Sequence, residues 1–371
     1  MAAPPGFSAT AFHPRRYLSN GHLQTIFGNY LRRTDALPPA DAELVEVSPA
    51  TSTGTIASQV LCHTHWQPED VRRTRPTAII VHGLEGSSSS QYVVGNADKL
   101  WRAGSNVIRM NMRNCGGTEQ LSPTLYHSGL SGDVAAVMHH FIRTRQLASI
   151  ALIGYSMGGN LVLKLAGELG AADAPPQLRA VVGISPAIDL GPSADALHRP
   201  LNRLYEAKFL HNLLKRFRRK AALFPHAYDI ARADSIHSLR EFDDRITAFY
   251  SGFSGADDYY DRAAAARVLD RIAVPTLILH ALDDPFVRIL PESRARIAAN
   301  PNITFLEPAH GGHCAFLAAP CPVADSATSL AIDDDGYWAE STLLRFLLAT
   351  HSTASPAQPP SLHHTGSNQL R

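Results

Sequence analysis

The sequence predicts an α/β fold in which a mostly parallel sheet is flanked by helices. Three observations carry this expectation. From Thr77 onward, short apolar runs alternate with stretches of helical period, the βαβα order of a parallel sheet. The strand-like runs are apolar nearly throughout, which suits strands buried on both faces. The alternation stops after Pro186 and resumes close to residue 263, so one sheet is interrupted by an insertion.

Taken in order, TAIIVHG reads as a strand and SQYVVGNADKLWRAG as a helix ending near Gly104. The next pair is SNVIRMNMR, a strand, and SGDVAAVMHHFIRTRQ, a helix. SIALIGYS then forms a strand, and GGNLVLKLAGELG a helix closing on Gly170 as its C-cap. LRAVVGISP is the last strand before the insertion, and a looser early strand lies in TIASQVLCHTHW. Beyond the insertion, AVPTLILHALDD and NITFLEPAHGGH supply two more strands, and GYWAESTLLRFLLAT a closing amphipathic helix. The expected units are a first core part with its N-terminal segment (1–186), a helical cap inserted after the sixth strand (187–262) and a second core part (263–350). The remaining residues (351–371), rich in Pro, Ser and His without apolar period, read as a disordered tail.

At 371 residues and 45% hydrophobic content, the chain can bury a sizeable core. A net charge of +1 provides no global field for nucleic acid or an anionic membrane. Four cysteines (Cys62, Cys115, Cys314, Cys321) lack paired metal spacing and point to a reduced, cytoplasmic protein. The histidine clusters CHTHW, MHH and LHH lack the H-x-x-x-H geometry, so no metal is expected and no cofactor is required. The first seventeen residues show no apolar core flanked by basic residues, as a secretory signal would, and no window approaches 18 uninterrupted apolar residues.

Chemistry enters at Ala151–Asn160, ALIGYSMGGN. Gly154-x-Ser156-x-Gly158 is the spacing that presents a nucleophilic serine on a sharp strand-to-helix turn, where bulky neighbours would not fit. GFSGA around Ser254 and GISPA around Ser185 miss the pattern, each ending in Ala. A serine hydroxyl needs a base, and the base needs an orienting acid, in the chain order Ser, Asp or Glu, His. Asp283-Asp284-Pro285 follows the strand TLILHA, and His310 and His313 follow the next strand. Asp284 is favoured as the acid because the Pro285 turn aims it across the strand ends; Asp283 remains the alternative. His313, after two glycines, is favoured as the base, with His310 as a neighbour shaping the pocket. In VHGLEGSSSS the Leu84 backbone N–H can pair with that of Met157 as an oxyanion hole.

Beyond the triad, NGHLQTIFGNYLRR, HGLEGSSSSQY, MRNCGGTEQLSPTLYHSG, GYSMGGN, DDPF and GGHCAF occur in the order of a known family. On these blocks, from about Phe12 to Leu348, the chain resembles the YheT-like, embryogenesis-associated branch of the α/β-hydrolases. The resemblance implies the α/β-hydrolase fold, with Ser156 as nucleophile, Asp284 as acid and His313 as base. It implies carboxylic-ester hydrolysis, with lipid-like esters or acyl transfer among the family's chemistries. Two departures are Asn114, where Gly is usual, and Cys314-Ala315, where Val-Gly is common. Tyr126-His127-Ser128-Gly129 reads as a loop-fixing stretch, and His22 and Gln24 as anchors of the N-terminal segment.

The expected function is a serine hydrolase cleaving short- or medium-chain or lipid-like carboxylic esters through an acyl-enzyme. The alternatives are an alcohol O-acyltransferase using the same triad, and a non-catalytic binding scaffold. In the insertion, KFLHNLLKRFRRKAALF is expected to pack Phe209, Leu213, Leu214 and Phe217 over the site as a lid. The competing expectation is weak contact with a membrane surface, those residues facing lipid and Lys215, Arg216, Arg218, Arg219 and Lys220 facing water.

Overall fold

The computed structural model describes residues 3–33, 35–50, 56–319 and 335–352. Eight strands form one sheet: β1 (Asp41–Ser48), β2 (Ser58–His65), β3 (Thr77–Val81), β4 (Asn106–Met110), β5 (Ile150–Tyr155), β6 (Leu178–Ile184), β7 (Thr276–Leu279) and β8 (Ile303–Leu306). Their order is β1-β2-β4-β3-β5-β6-β7-β8. β3 to β8 run parallel, and β2 is antiparallel to both β1 and β4. The mostly parallel α/β sheet expected from the sequence is therefore present.

The central strands are apolar because both faces are covered. In β3, Ile79 and Val81 join one core layer while Ala78 and Ile80 join the other, as the pleat requires. The closing helix Trp338–Ser352 covers the second layer through Leu343, Phe346 and Leu347. It runs two residues past the expected boundary at 350; residues 353–371, and so nearly all of the expected tail, lie outside the described residues, as does Cys321. β1 was not legible in advance. It is an edge strand in which only Val45 is buried; Glu43 takes an inward position and Leu44 an outward one, so the apolar alternation that marks a half-buried strand is weak.

Between β6 and β7 the chain is helical, beginning with Leu190–Leu197 and the 21-residue helix Arg203–Leu223. It rejoins the core where Asn160 binds both the Ala263 carbonyl and the Ala265 amide, at 2.9 and 2.7 Å. The long helix turns Leu213 and Phe217 inward and leaves Lys215, Arg218 and Arg219 exposed. Two of its cations break the expected wet face. Arg216 pairs with Glu85 at 2.9 Å, and buried Lys220 donates to Asn114 Oδ1 (2.7 Å), the Glu119 carbonyl (2.8 Å) and the Ser122 carbonyl. Sequence period alone could not separate these cations from the solvated ones, because their acceptors lie 98 to 131 residues away.

The acceptors of Lys220 belong to the loop after β4. Asn114 sits there at φ +65°, in the left-handed region where Gly is at ease and Asn is tolerated. Its side chain, which glycine lacks, accepts from Lys220 and donates to the Thr124 carbonyl at 2.9 Å. Arg113 anchors the same loop by a two-pronged contact with Asp133, at 2.6 and 2.5 Å, both residues being buried. Removing one partner strands a buried charge. Asp133→Ala is therefore expected to lower unfolding stability by about 3–5 kcal/mol in a denaturant titration; a loss below about 1 kcal/mol would contradict this role.

Candidate active site

Ser156 stands at the junction of β5 and the helix Met157–Asp173 with φ 53° and ψ −116°, a conformation costly for a non-glycine residue. Its amide donates to the Ile184 carbonyl at 2.9 Å, and its carbonyl accepts from Asn160 and Ala187 at 3.0 and 3.2 Å. The flanking glycines are needed on steric grounds. A Cβ on Gly154 would lie 2.1 Å from the Gly158 oxygen, and one on Gly158 would lie 2.4 Å from the carbonyl oxygens of Val81 and His82. Gly170 leaves the helical conformation at φ 55°, ψ −151°, and the helix is kinked there before Asp173.

His313 Nε2 lies 2.9 Å from Ser156 Oγ, and His313 Nδ1 lies 2.8 Å from Asp284 Oδ2. The other Asp284 oxygen accepts from the amides of Phe286 and Val287 at 3.1 and 2.9 Å, in the turn that Pro285 begins. Asp283 points elsewhere: Oδ1 accepts from the Gly312 amide at 2.8 Å, and Oδ2 faces His310 at 3.4 Å. His310 does not line the cavity next to Ser156, contrary to expectation. It pairs with Asp283 because the two glycines that bring His313 inward leave His310 on the outer side of the loop.

Burial alone would raise the Asp284 carboxyl. The His313 ring, assisted by His280 and the Val287 amide, outweighs burial and holds it below the ordinary carboxylate range. For His313, burial opposes the imidazolium, but the Cys314 sulfur and the Asp284 carboxylate outweigh it and raise the pKa above the ordinary imidazole value. Phe286 packs on the imidazole with ring centroids 4.4 Å apart. The His313 amide donates to Thr25 Oγ1 at 2.9 Å, tying the base to the N-terminal helix Gly21–Tyr30. Gln24 holds the same junction, donating to the Leu18 and Leu317 carbonyls and accepting from the Leu317 amide. His22 lies 3.2 Å from Tyr205 Oη on the insertion.

The amides of Leu84 and Met157 donate to no group among the described residues. Gly83, just before Leu84, is so close that a Cβ there would lie 3.1 Å from Ser156 Cβ. Sequence reasoning missed what orients this loop. His82 is buried; its Nε2 accepts from the Met112 amide at 3.1 Å, leaving Nδ1 to donate to the Gly83 carbonyl at 2.8 Å. Burial, the largest cause, brings its pKa down to about 4, so the ring stays neutral and keeps this tautomer. A trans peptide sets N–H opposite to C=O, so holding the Gly83 carbonyl also aims the Leu84 N–H. Tyr92 Oη accepts the Gly83 amide at 2.9 Å, and Arg216 reaches Glu85 from the insertion.

Ser156, Leu84 and Met157 open onto a cavity of about 110 Å³ between sheet and insertion. Its walls are mostly apolar, with Leu125, Leu197, Phe209, Leu213, Phe217 and Phe242 among them, while Asp243 and His127 add polar groups. His127 lines the cavity, and its Nδ1 accepts from the Gly129 amide at 3.1 Å within its loop.

The family model for the alpha/beta hydrolase fold matches residues 76–320. YheT of Escherichia coli (strain K12), a protein named as an esterase, is 32% identical over 84% of this chain and 88% of its own length. The chain belongs to the α/β-hydrolase family, in its YheT-like branch. Phospholipase ABHD3 of Mus musculus is 32% identical over 67% of this chain, which spans 60% of that protein. Monoacylglycerol lipase ABHD2 of Homo sapiens is 24% identical over 80% of this chain and 72% of its own length. In this α/β-hydrolase, no group of three or more His, Cys, Asp or Glu among the described residues is arranged to hold a metal. Among them, too, no helix is long and apolar enough to cross a membrane.

The electrostatics make a signed prediction for any reaction in which neutral His313 takes the Ser156 proton. Activity should rise with pH through the His313 ionisation, with a midpoint above the ordinary value of about 6.5. Asp284→Asn removes a charge that raises that pKa, so the residual rate should show a lower midpoint and a loss on the order of 10³–10⁴-fold. A pH–kcat/KM profile of both proteins checks it; an unmoved midpoint would break the proposed coupling.

Proposed function

We propose that this protein is a serine hydrolase of carboxylic esters, with Ser156 as nucleophile, His313 as general base and Asp284 as the acid that orients it. The observation carrying the reading is the continuous hydrogen-bonded chain from Ser156 through His313 to Asp284, opening onto an apolar cavity. Ser156 attacks the ester carbonyl as His313 takes its proton. The oxyanion is met by the Leu84 and Met157 amides, and loss of one such donor would cost on the order of 3 kcal/mol of barrier. His313 then protonates the leaving alcohol, and water repeats the cycle to release the acid. No step calls for a cofactor. The relatives named as esterase, phospholipase and monoacylglycerol lipase support an ester substrate, and the apolar cavity supports a medium-chain or lipid-like acyl group.

In this reading the helical segment from 187 to about 262 is a lid. Leu213 and Phe217, which also fit a lipid-facing role on sequence grounds, instead supply cavity wall. The scaffold alternative gains no support from a site with base, acid and two free amides in place.

Labelling with a fluorophosphonate probe, paired with turnover of p-nitrophenyl esters, tests the proposal. Wild type should label and turn over, Ser156→Ala should do neither, and added alcohol should not divert the product to a new ester. Folded wild type that fails to label would refute the nucleophile; a new ester as main product would move the activity to acyl transfer. Leu213→Trp should narrow the cavity and lower kcat/KM for long acyl chains about tenfold relative to acetate. An unchanged chain-length profile would remove the cavity from substrate recognition.

A further inference from the structure

The helix Gly21–Tyr30 is amphipathic in the wrong sense for a helix packed on a core. It buries Gly21, Gln24 and Thr25, and its outer face carries Leu23, Ile26, Phe27 and Tyr30, spaced i, i+3, i+4 and i+7. The inward face must stay small and polar. A Cβ on Gly28 would lie 2.5 Å from Ala315 Cβ, and Gln24 and Thr25 hold the His313 loop. Among the described residues no comparable constraint acts on the outer face, where Tyr30 is 67% exposed.

The turn before the long insertion helix and its first residues continue this surface, where Leu201 and Leu204 are 83% and 86% exposed. The two segments touch: His22 meets Tyr205 at 3.2 Å, and Lys208 Nζ lies 3.4 Å from Tyr30 Oη. Within the two segments that carry the patch, the exposed charges have one sign, although Asp283 and Asp335 lie at its edges. Residues 14–33 contain no Asp or Glu, and Arg15, Arg16 and Arg32 are exposed there. Residues 199–208 add exposed Arg199, Arg203 and Lys208; their only acid, Glu206, is buried and accepts from the Leu239 amide at 2.9 Å.

We propose that this apolar stripe, flanked by six exposed cations and adjoining the Asp283–His310 side of the candidate site, docks on the surface of an anionic lipid bilayer. Exposed apolar side chains framed by Lys and Arg match an interface whose headgroups are negative and whose interior is apolar. A second copy of the chain fits less well, because a two-fold contact sets the patch against itself and opposes its own cations. This places the lipid-facing surface on the N-terminal helix and residues 199–208, away from the inward-turned Leu213 and Phe217. The proposal does not require the hydrolase reading to hold, since turnover of a water-soluble ester tests that separately.

Flotation of the full chain with vesicles of ether-linked lipids, which contain no carboxylic ester, tests it. Wild type should float with phosphatidylcholine–phosphatidylglycerol vesicles, much less with phosphatidylcholine alone, and the binding should fall with salt. Leu201→Ser with Leu204→Ser, both at highly exposed positions, should weaken binding about tenfold. Arg199→Gln, Arg203→Gln and Lys208→Gln should each weaken it about fivefold at low salt. No phosphatidylglycerol-dependent binding, or binding undiminished in the leucine variant, would overturn the proposal. So would a wild-type dimer, seen by light scattering, that the leucine variant disperses without any vesicle binding.

Discussion

The candidate site depends on one close approach, that of the first turn of the helix Met157–Asp173 to the end of β3. Gly158 passes so near the Val81 and His82 carbonyls that no side chain fits. That contact forces the strand-to-helix turn to be sharp and holds Ser156 in its strained backbone conformation. It also brings the two free amides to one place, since Met157 opens the helix and Leu84 follows β3 by three residues. Parallel strands make this possible, because neighbouring β3 and β5 end on the same side of the sheet.

The elements around this centre converge on the same few atoms. The N-terminal helix holds the His313 backbone through Thr25, and the turn after β7 holds Asp284 through two amides. The insertion reaches the Leu84 loop through Arg216 and Glu85, so the ion pair links cavity wall and loop. His82 acts at one remove, keeping a peptide plane in orientation by remaining neutral in a buried position. In such an arrangement the Leu84 and Met157 amides, bonded to no group among the described residues, belong to residues that line the cavity.

Much of this was legible in the residues. Gly154, Ser156 and Gly158 mark the turn because only small residues survive there, and the apolar runs mark strands covered on both faces. The Asp283–Asp284 pair was harder, since a one-residue difference in a turn is decided by where the backbone aims each side chain. In the fold it is Asp284, the residue before Pro285, that comes within 2.8 Å of His313 Nδ1. His310 was misplaced because the path of a two-glycine loop cannot be read from its composition. β1 was missed because an edge strand with one buried residue has no strong period.

By itself the sequence determined local character: a parallel α/β sheet, an insertion after the strand LRAVVGISP, and the residue types that could supply nucleophile, acid and base. Periodicity and turn chemistry are local properties, and they survive without coordinates. Only the tertiary structure decided which distant groups meet. It sent Lys220 into a nest of carbonyls, bonded His82 to Gly83, turned Leu213 and Phe217 inward and left Leu23, Ile26 and Phe27 facing out. Those outcomes depend on contacts between residues far apart in the chain, where direction, burial and charge are set by the partner and not by the neighbour in sequence.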